Sequence, residues 1–243
     1  MNMKSFPAVV LAGGLGTRLR DLFPGIPKAM VPVLGRPFLE YVLESVRSAG
    51  LDRVVLCVGH LKERIRDHFR DGSTFGLRIV YSDEETPLGT AGAVRKAMPL
   101  IGGPFFLLNG DTYLDLDFRA MVLAHEEARN NCGAIGTIAV RGVPDPKASG
   151  KVVIDAAGRI LSFHEKDDRV PGPSLVNAGI HFWDPSVFRH IEETAPSSLE
   201  HDVIPAALRD GVILCGFQVS GEFFDIGTKE GYDRFLAHRA HER

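Results

Sequence analysis

The chain has 243 residues, 44% of them hydrophobic and 24% charged, with a formal net charge of −3 at pH 7. That length and apolar content suit one α/β domain with a sizeable core, and the balance of charge speaks against a nucleic-acid binder held by bulk electrostatics. No apolar run approaches the roughly 18 residues that span a bilayer, and the first residues carry no signal-peptide hydrophobic stretch, so no membrane partner and a cytoplasmic location are expected.

Predicted strands and helices alternate along the first half. Ala8–Leu11 is a short apolar run that reads as a buried strand, feeding straight into Gly13, Gly14 and Gly16. Phe38, Leu39, Val42, Leu43 and Val46 recur at helical spacing, and Gly50 closes that helix. Val54–Val58 is a second buried strand. Leu61, Ile65 and Phe69 lie four apart on a further helix, and Arg78–Tyr81 forms a third strand. Thr90 is expected to cap a helix that runs through Met98, and Phe105–Leu108 is a fourth strand leading into Asn109-Gly-Asp111. This alternation implies a Rossmann-like, mostly parallel sheet with helices on both faces, whose ligands lie outside the carboxyl ends of the strands.

Beyond Ala134 the pattern changes to strands at Ala134–Val140, Lys151–Ile154, Arg159–Phe163, Leu175–Trp183 and Val212–Phe217. Helices are expected at Pro185–Glu193, Asp202–Arg209 and Lys229–Arg239. No linker, internal repeat or low-complexity stretch divides the chain, so a single domain is expected, its regularly alternating half at about residues 1–115 and its strand-rich half at about 116–243. Cys57, Cys132 and Cys215 are far apart and odd in number, form no metal pattern, and read as free thiols.

The chemistry concentrates at the start. Three glycines, Gly13, Gly14 and Gly16, let the backbone curl and turn its N–H groups towards an anion. Arg18 adds a planar fork of donors suited to phosphate oxygens, and Lys28 adds a point charge. Together they describe a polyphosphate site. It is not a P-loop, which closes on Gly-Lys-Ser/Thr, and Leu19 stands where a dinucleotide fingerprint needs its third glycine. Two carboxylates fit a hard cation. Asp111 ends a buried strand, and Asp225 stands among apolar neighbours in Phe223-Phe-Asp-Ile-Gly-Thr228, where an ionised carboxylate demands a partner. Mg²⁺ is the expected cofactor.

Gly14-Leu-Gly-Thr-Arg-Leu19 followed by Pro27-Lys-Ala-Met-Val-Pro-Val33 resembles the double signature of the sugar-1-phosphate nucleotidyltransferases. Asp21-Leu-Phe and Ala29 depart from that signature without removing a charged group. The resemblance extends from Ala8 to about Arg234 and implies the nucleotide-diphospho-sugar transferase fold, with a nucleotide-binding half of about residues 1–115 and a sugar-binding half of about 116–243. It implies that Leu11, Ala12, Gly13, Gly14, Gly16, Thr17 and Gly110 contact the nucleotide, and that Arg18 holds the departing pyrophosphate and Lys28 the α-phosphate. It implies further that Asp111 and Asp225 hold Mg²⁺, while Pro87, Gly89 and Thr90 embrace the base. Glu165 would meet sugar hydroxyls, Lys166 the attacking sugar phosphate, and Asn177 with Gly179 the sugar ring. The expected partners are a nucleoside triphosphate and a sugar 1-phosphate, with a homo-oligomer as a possible assembly and no C-terminal β-helix.

Glu84 and Glu85 tilt the base towards guanine, because a carboxylate accepts the adjacent N1–H and N2–H₂ donors in bidentate fashion. GTP is therefore the expected nucleotide. Within the family, Gly35-Arg-Pro-Phe-Leu-Glu-Tyr41, Leu108-Asn-Gly-Asp-Thr112 and Ser198-Leu-Glu-His-Asp202 resemble the guanylyltransferases that act on a heptose 1-phosphate. Mannose 1-phosphate guanylyltransfer is an alternative, as is N-acetylmuramic acid 1-phosphate uridylyltransfer, whose enzymes Asp71–Gly76 and Asp83-Glu-Glu85 also resemble, so sugar and base stay open. A regulatory subunit that kept the fold without the chemistry is the alternative of a different class.

Overall fold

The structure is a computed structural model that describes residues 1–14, 19, 22–143, 150–164, 174–190 and 196–242. Its elements begin with β1 (Ala8–Leu11), a small hairpin of β2 (Pro32–Val33) and β3 (Arg36–Pro37), then α1 (Phe38–Ser48) and β4 (Arg53–Val58). They continue through α2 (Lys62–Phe69), β5 (Arg78–Asp83), α3 (Gly89–Ile101), β6 (Phe105–Asn109), β7 (Thr112–Leu114) and α4 (Phe118–Cys132). The second half comprises β8 (Gly136–Val143), β9 (Lys151–Ile154), β10 (Ile160–His164), β11 (Ser174–Trp183), α5 (Ile204–Arg209), β12 (Leu214–Val219), β13 (Phe223–Asp225) and α6 (Lys229–His241).

Among the described residues, nine strands form one mixed sheet. Its first half is parallel: β1 lies between β4 and β6, and β5 extends the edge beyond β4. The direction then reverses, because β11 runs antiparallel to β6 with Ile180 opposite Leu108. The ten residues of β11 also pair antiparallel with β8 and β9, so this one strand joins the parallel half to the rest of the sheet, where β12 runs parallel to β8.

Strand alternation divides the apolar side chains between two faces. Ala8, Val10, Val54, Leu56, Phe106 and Leu108 face one core with Phe38, Ile65, Met121 and Phe235 from α1, α2, α4 and α6. Val9, Val55, Cys57 and Leu107 face the other with Ala93, Val94 and Ala97 from α3. Helices therefore cover both faces, as the alternating pattern implies.

Helix α4 has no counterpart among the expected elements. It carries its own signals: Phe118, Met121, Val122 and His125 make a buried stripe, the Asp117 carboxylate accepts the N–H of Ala120, and Gly133 ends the helix at φ +77°. The expected helix at Asp202–Arg209 begins earlier, as a π-helical turn over Leu199–Val203 that passes into α5. The last expected strand shifts to Leu214–Val219, since Val212 N–H still bonds back to Ala207. Of the expected helix Pro185–Glu193, a 3₁₀ turn covers Pro185–His190, and the remainder lies outside the described residues. Cys57 and Cys215 are buried and Cys132 partly so; burial pushes both buried thiols up, Cys215 to about 11, which makes them poor nucleophiles.

Candidate active site

The parallel half of the sheet ends on one edge in Leu11, Val58, Asp83 and Asn109, and the site is built on that edge. β1 opens into Ala12, Gly13 and Gly14. The N–H of Gly110 donates to the carbonyl of Leu11 at 2.9 Å, which holds the ends of β1 and β6 together. That contact requires glycine: a Cβ on residue 110 would stand 2.6 Å from the Leu11 carbonyl oxygen. Gly14 has open space where a side chain would be, so its backbone is accessible from that side. Gly16, Thr17 and Arg18 lie outside the described residues, as do Glu165 and Lys166.

Lys28 sits in a short 3₁₀ turn, Lys28–Met30, after Pro27. Its ammonium is paired closely with Asp111 Oδ2 and stands 3.9 Å from Asp225 Oδ1. The two carboxylates arrive from remote segments. Asp111 follows β6, and Asp225 ends β13, which pairs antiparallel with β7 so that Asp225 faces Thr112. Gly227 follows two residues on, and a Cβ there would stand 2.7 Å from Lys28 Nζ and 2.8 Å from Asp225 Oδ1. Its N–H donates to that same Asp225 oxygen at 2.6 Å. Two carboxylates converging on one cation are a donor set that suits Mg²⁺, which is commonly held by one or two carboxylates together with phosphate oxygens. Among the described residues no group of three or more His, Cys, Asp or Glu side chains could form a cage by itself.

On the other side of β6, strand β11 is interrupted. Asn177 opposes Val140 of β8, yet His181, four residues on, opposes Ile138. The extra residues form a bulge in which Gly179 takes φ +76°. The bulge presses Gly179 against the segment that bears Asp111: a Cβ there would lie 3.1 Å from Thr112 Cγ2 and 3.2 Å from Asn109 Nδ2. Gly179 thus adjoins the residues on either side of the Gly110-Asp111 pair.

The acidic pair after β5 separates into two different environments. Glu85 is 79% exposed and pairs with Lys62 at 2.8 Å. Glu84 turns inward: its Oε2 accepts the N–H of Leu88 at 3.0 Å, while Oε1 lies where a Cβ on Gly13 would come within 2.9 Å. Burial raises the Glu84 carboxyl above the ordinary range, partly offset by the Leu88 N–H and by Lys96. Glu84 is therefore the carboxylate beside the glycine loop.

Pro87 and Gly89 are exposed at the head of α3. Thr90 does not cap this helix, which begins at Gly89 with Leu88 as its cap residue. Its hydroxyl instead accepts the N–H of Leu199 at 2.8 Å and donates to Glu200 at 3.1 Å. Gly89, at φ +75°, lies so close to Ser197 that a Cβ would meet its carbonyl oxygen at 2.3 Å. The segment from Ser197 to Glu200 thus backs the Pro-Leu-Gly-Thr turn. Sequence reading missed that support, because contacts between segments so far apart have no local signal; it also missed Gly227 and His181, whose short-range contacts depend on the local bend of the backbone.

A glycine-opened strand end, a lysine between two carboxylates and a bulged neighbouring strand meet at one end of the sheet of this α/β protein. Residues 7–241 match the nucleotidyl transferase family, and the chain belongs to this family of enzymes. It is 36% identical over 240 residues to a UTP–glucose-1-phosphate uridylyltransferase from Synechocystis sp., covering 93% of this chain and 61% of that relative. The chain thus spans about three-fifths of that protein's length. A D-glycero-alpha-D-manno-heptose 1-phosphate guanylyltransferase from Campylobacter jejuni is 32% identical over 229 residues, covering 94% of this chain and 98% of the relative. Among solved structures, HddC from Yersinia pseudotuberculosis, complexed with GMP-PN, superposes with a TM-score of 0.80 at 29% identity, over 96% of this chain and 99% of that one.

Proposed function

We propose that the chain condenses a nucleoside triphosphate with a sugar 1-phosphate to give a nucleoside-diphosphate sugar and pyrophosphate. The observation that carries this reading is the Lys28 ammonium held between Asp111 and Asp225, beside the opening of β1 and the bulge of β11. The reaction joins two anions, so catalysis is chiefly alignment and charge neutralisation, and no side-chain nucleophile is needed. Gly13 and Gly14 offer backbone N–H groups to the triphosphate. Lys28 neutralises charge on the α-phosphate as the sugar-phosphate oxygen attacks, and Asn177 and Gly179 seat the sugar. Asp111 and Asp225 would hold Mg²⁺, which when bound draws charge from the phosphate oxygens. Arg18, Glu165 and Lys166 complete the proposal in the roles that the resemblance implies.

For the substrates, GTP and a heptose 1-phosphate are the favoured pair. Glu84 supports guanine, as a carboxylate held beside the glycine loop. The relative of nearly equal length supports the sugar. Pyrophosphate release with Mg²⁺ tests both, crossing GTP, UTP, CTP, ATP and dTTP with heptose, mannose, glucose and N-acetylmuramic acid 1-phosphates. Turnover confined to GTP with the heptose supports the full reading. Turnover with another pair retains the reaction and discards the specificity. Failure with every pair overturns the proposal in favour of a regulatory subunit.

A further inference from the structure

In an extended strand, residues four apart are separated by about 13 Å, yet His181 Nε2 lies 2.9 Å from Asn177 Oδ1. The bulge at Gly179 folds the strand back far enough to bring them together. The same oxygen also accepts the backbone N–H of Gly179 at 3.0 Å. A backbone N–H can only donate, so this contact fixes which end of the Asn177 carboxamide is oxygen. His181 must then donate through Nε2–H, and Nδ1 carries the lone pair. Nδ1 is buried without a hydrogen-bond partner among the described residues, an arrangement that costs free energy. Burial holds the imidazole neutral, pushing its pKa down to about 3.

A half-satisfied histidine in the middle of a buried strand is an expensive way to fill space. We propose that His181 is a positioning residue: its Nε2–H, with the Gly179 N–H, occupies both lone pairs of Asn177 Oδ1. The amide nitrogen, with its two N–H donors, is then what Asn177 offers to a sugar hydroxyl. This inference rests on the sugar-binding role proposed for Asn177. It assigns His181 no contact with substrate and no proton transfer.

The test uses His181→Phe, which keeps an aromatic ring near Trp183 but removes the donor, His181→Gln, which restores an N–H donor, and Asn177→Ala. One lost neutral hydrogen bond predicts a rise of about 5- to 10-fold in the KM for sugar 1-phosphate in His181→Phe. The nucleotide KM should stay unchanged, and His181→Gln should recover most of the loss. A purely structural role would instead move both KM values together, or neither. If Asn177→Ala raises the sugar KM and His181→Phe does not, the positioning role is overturned. If Asn177→Ala itself leaves the sugar KM unchanged, the sugar-site reading falls and takes the inference with it. A readout independent of activity is the ¹⁵N imidazole spectrum: His181 should appear as the Nε2–H tautomer and show no titration from about pH 5 to 8. An Nδ1–H tautomer overturns the inference whatever the kinetics.

Discussion

The backbone N–H of Ile226 donates to the carbonyl of Asp111 at 3.0 Å. One main-chain bond thus ties the segment carrying the second carboxylate to the first. This bond holds the backbones that carry Asp111 and Asp225 together in addition to the Lys28 contacts between their carboxylates. Such preorganisation is what an electrostatic catalyst requires, since charges fixed in advance need no rearrangement as the reaction proceeds.

Gly227 is part of that arrangement. In Gly227→Ala the new methyl would crowd both the Lys28 ammonium and an Asp225 oxygen. Turnover should fall by about 100-fold or more, the scale of losing one charge-stabilising contact. Thermal unfolding should move little, because the residue lies outside both apolar cores. Steady-state kinetics and a melting curve on the same sample check this.

Lys28→Met leaves Asp111 and Asp225 facing each other with their bridging cation gone. Their mutual repulsion should lower Tm in the presence of a chelator, and Mg²⁺ should restore it. The Mg²⁺-induced rise in Tm should therefore exceed that of the parent protein, while turnover is lost. Thermal shift with EDTA and with Mg²⁺ measures it; an equal or smaller rise would show that the carboxylates do not form a common cation site.

Glu84 and Glu85 should behave differently despite being neighbours. Glu85→Gln removes an exposed pair with Lys62 and should leave the nucleotide KM near that of the parent protein. Glu84→Gln should raise the KM for GTP and reduce its preference over UTP. The carboxyl of Glu84 is raised in the folded state, so the folded protein retains a proton that the unfolded chain releases. Its stabilising contribution is present below about pH 4.3 and is lost as pH rises through the folded value. The Tm of Glu84→Gln relative to the parent should accordingly improve with rising pH across that window.

His125 gives a second pH dependence, with the opposite sign. Buried on α4 beside Thr137, it is held neutral and its pKa is pushed down to about 4, chiefly by burial. Its contribution is complete above about pH 6.5 and is lost as pH falls towards 4. Replacing His125 with Gln should flatten the acid side of the stability curve between those limits, as measured by denaturant unfolding at several pH values.

The sequence was most legible where chemistry depends on local spacing. The apolar run at Ala8–Leu11, Gly13 and Gly14 after it and the strand-end Asp111 all sit where local pattern puts them. Asp225 was legible for a related reason, a carboxylate in an apolar context. Helix α4 was harder to see, because its buried stripe covers only Phe118 to His125 and polar residues fill most of the final turns. The differing fates of Glu84 and Glu85 depend on Leu88, Gly13 and Lys62, which folding alone brings to them. His181 was hidden most completely: its partner is four residues away, and only the bulge at Gly179 makes that a contact.

The central claim, that Asp111, Lys28 and Asp225 form the centre of nucleotidyl transfer, is tested most directly by Asp225→Asn. The measurement is pyrophosphate release with Mg²⁺, using the nucleotide and sugar 1-phosphate pair that the parent protein turns over fastest. The account predicts a loss of about 10²- to 10³-fold in rate from a variant whose melting curve shows it folded. Near-parental turnover from that folded variant would contradict it.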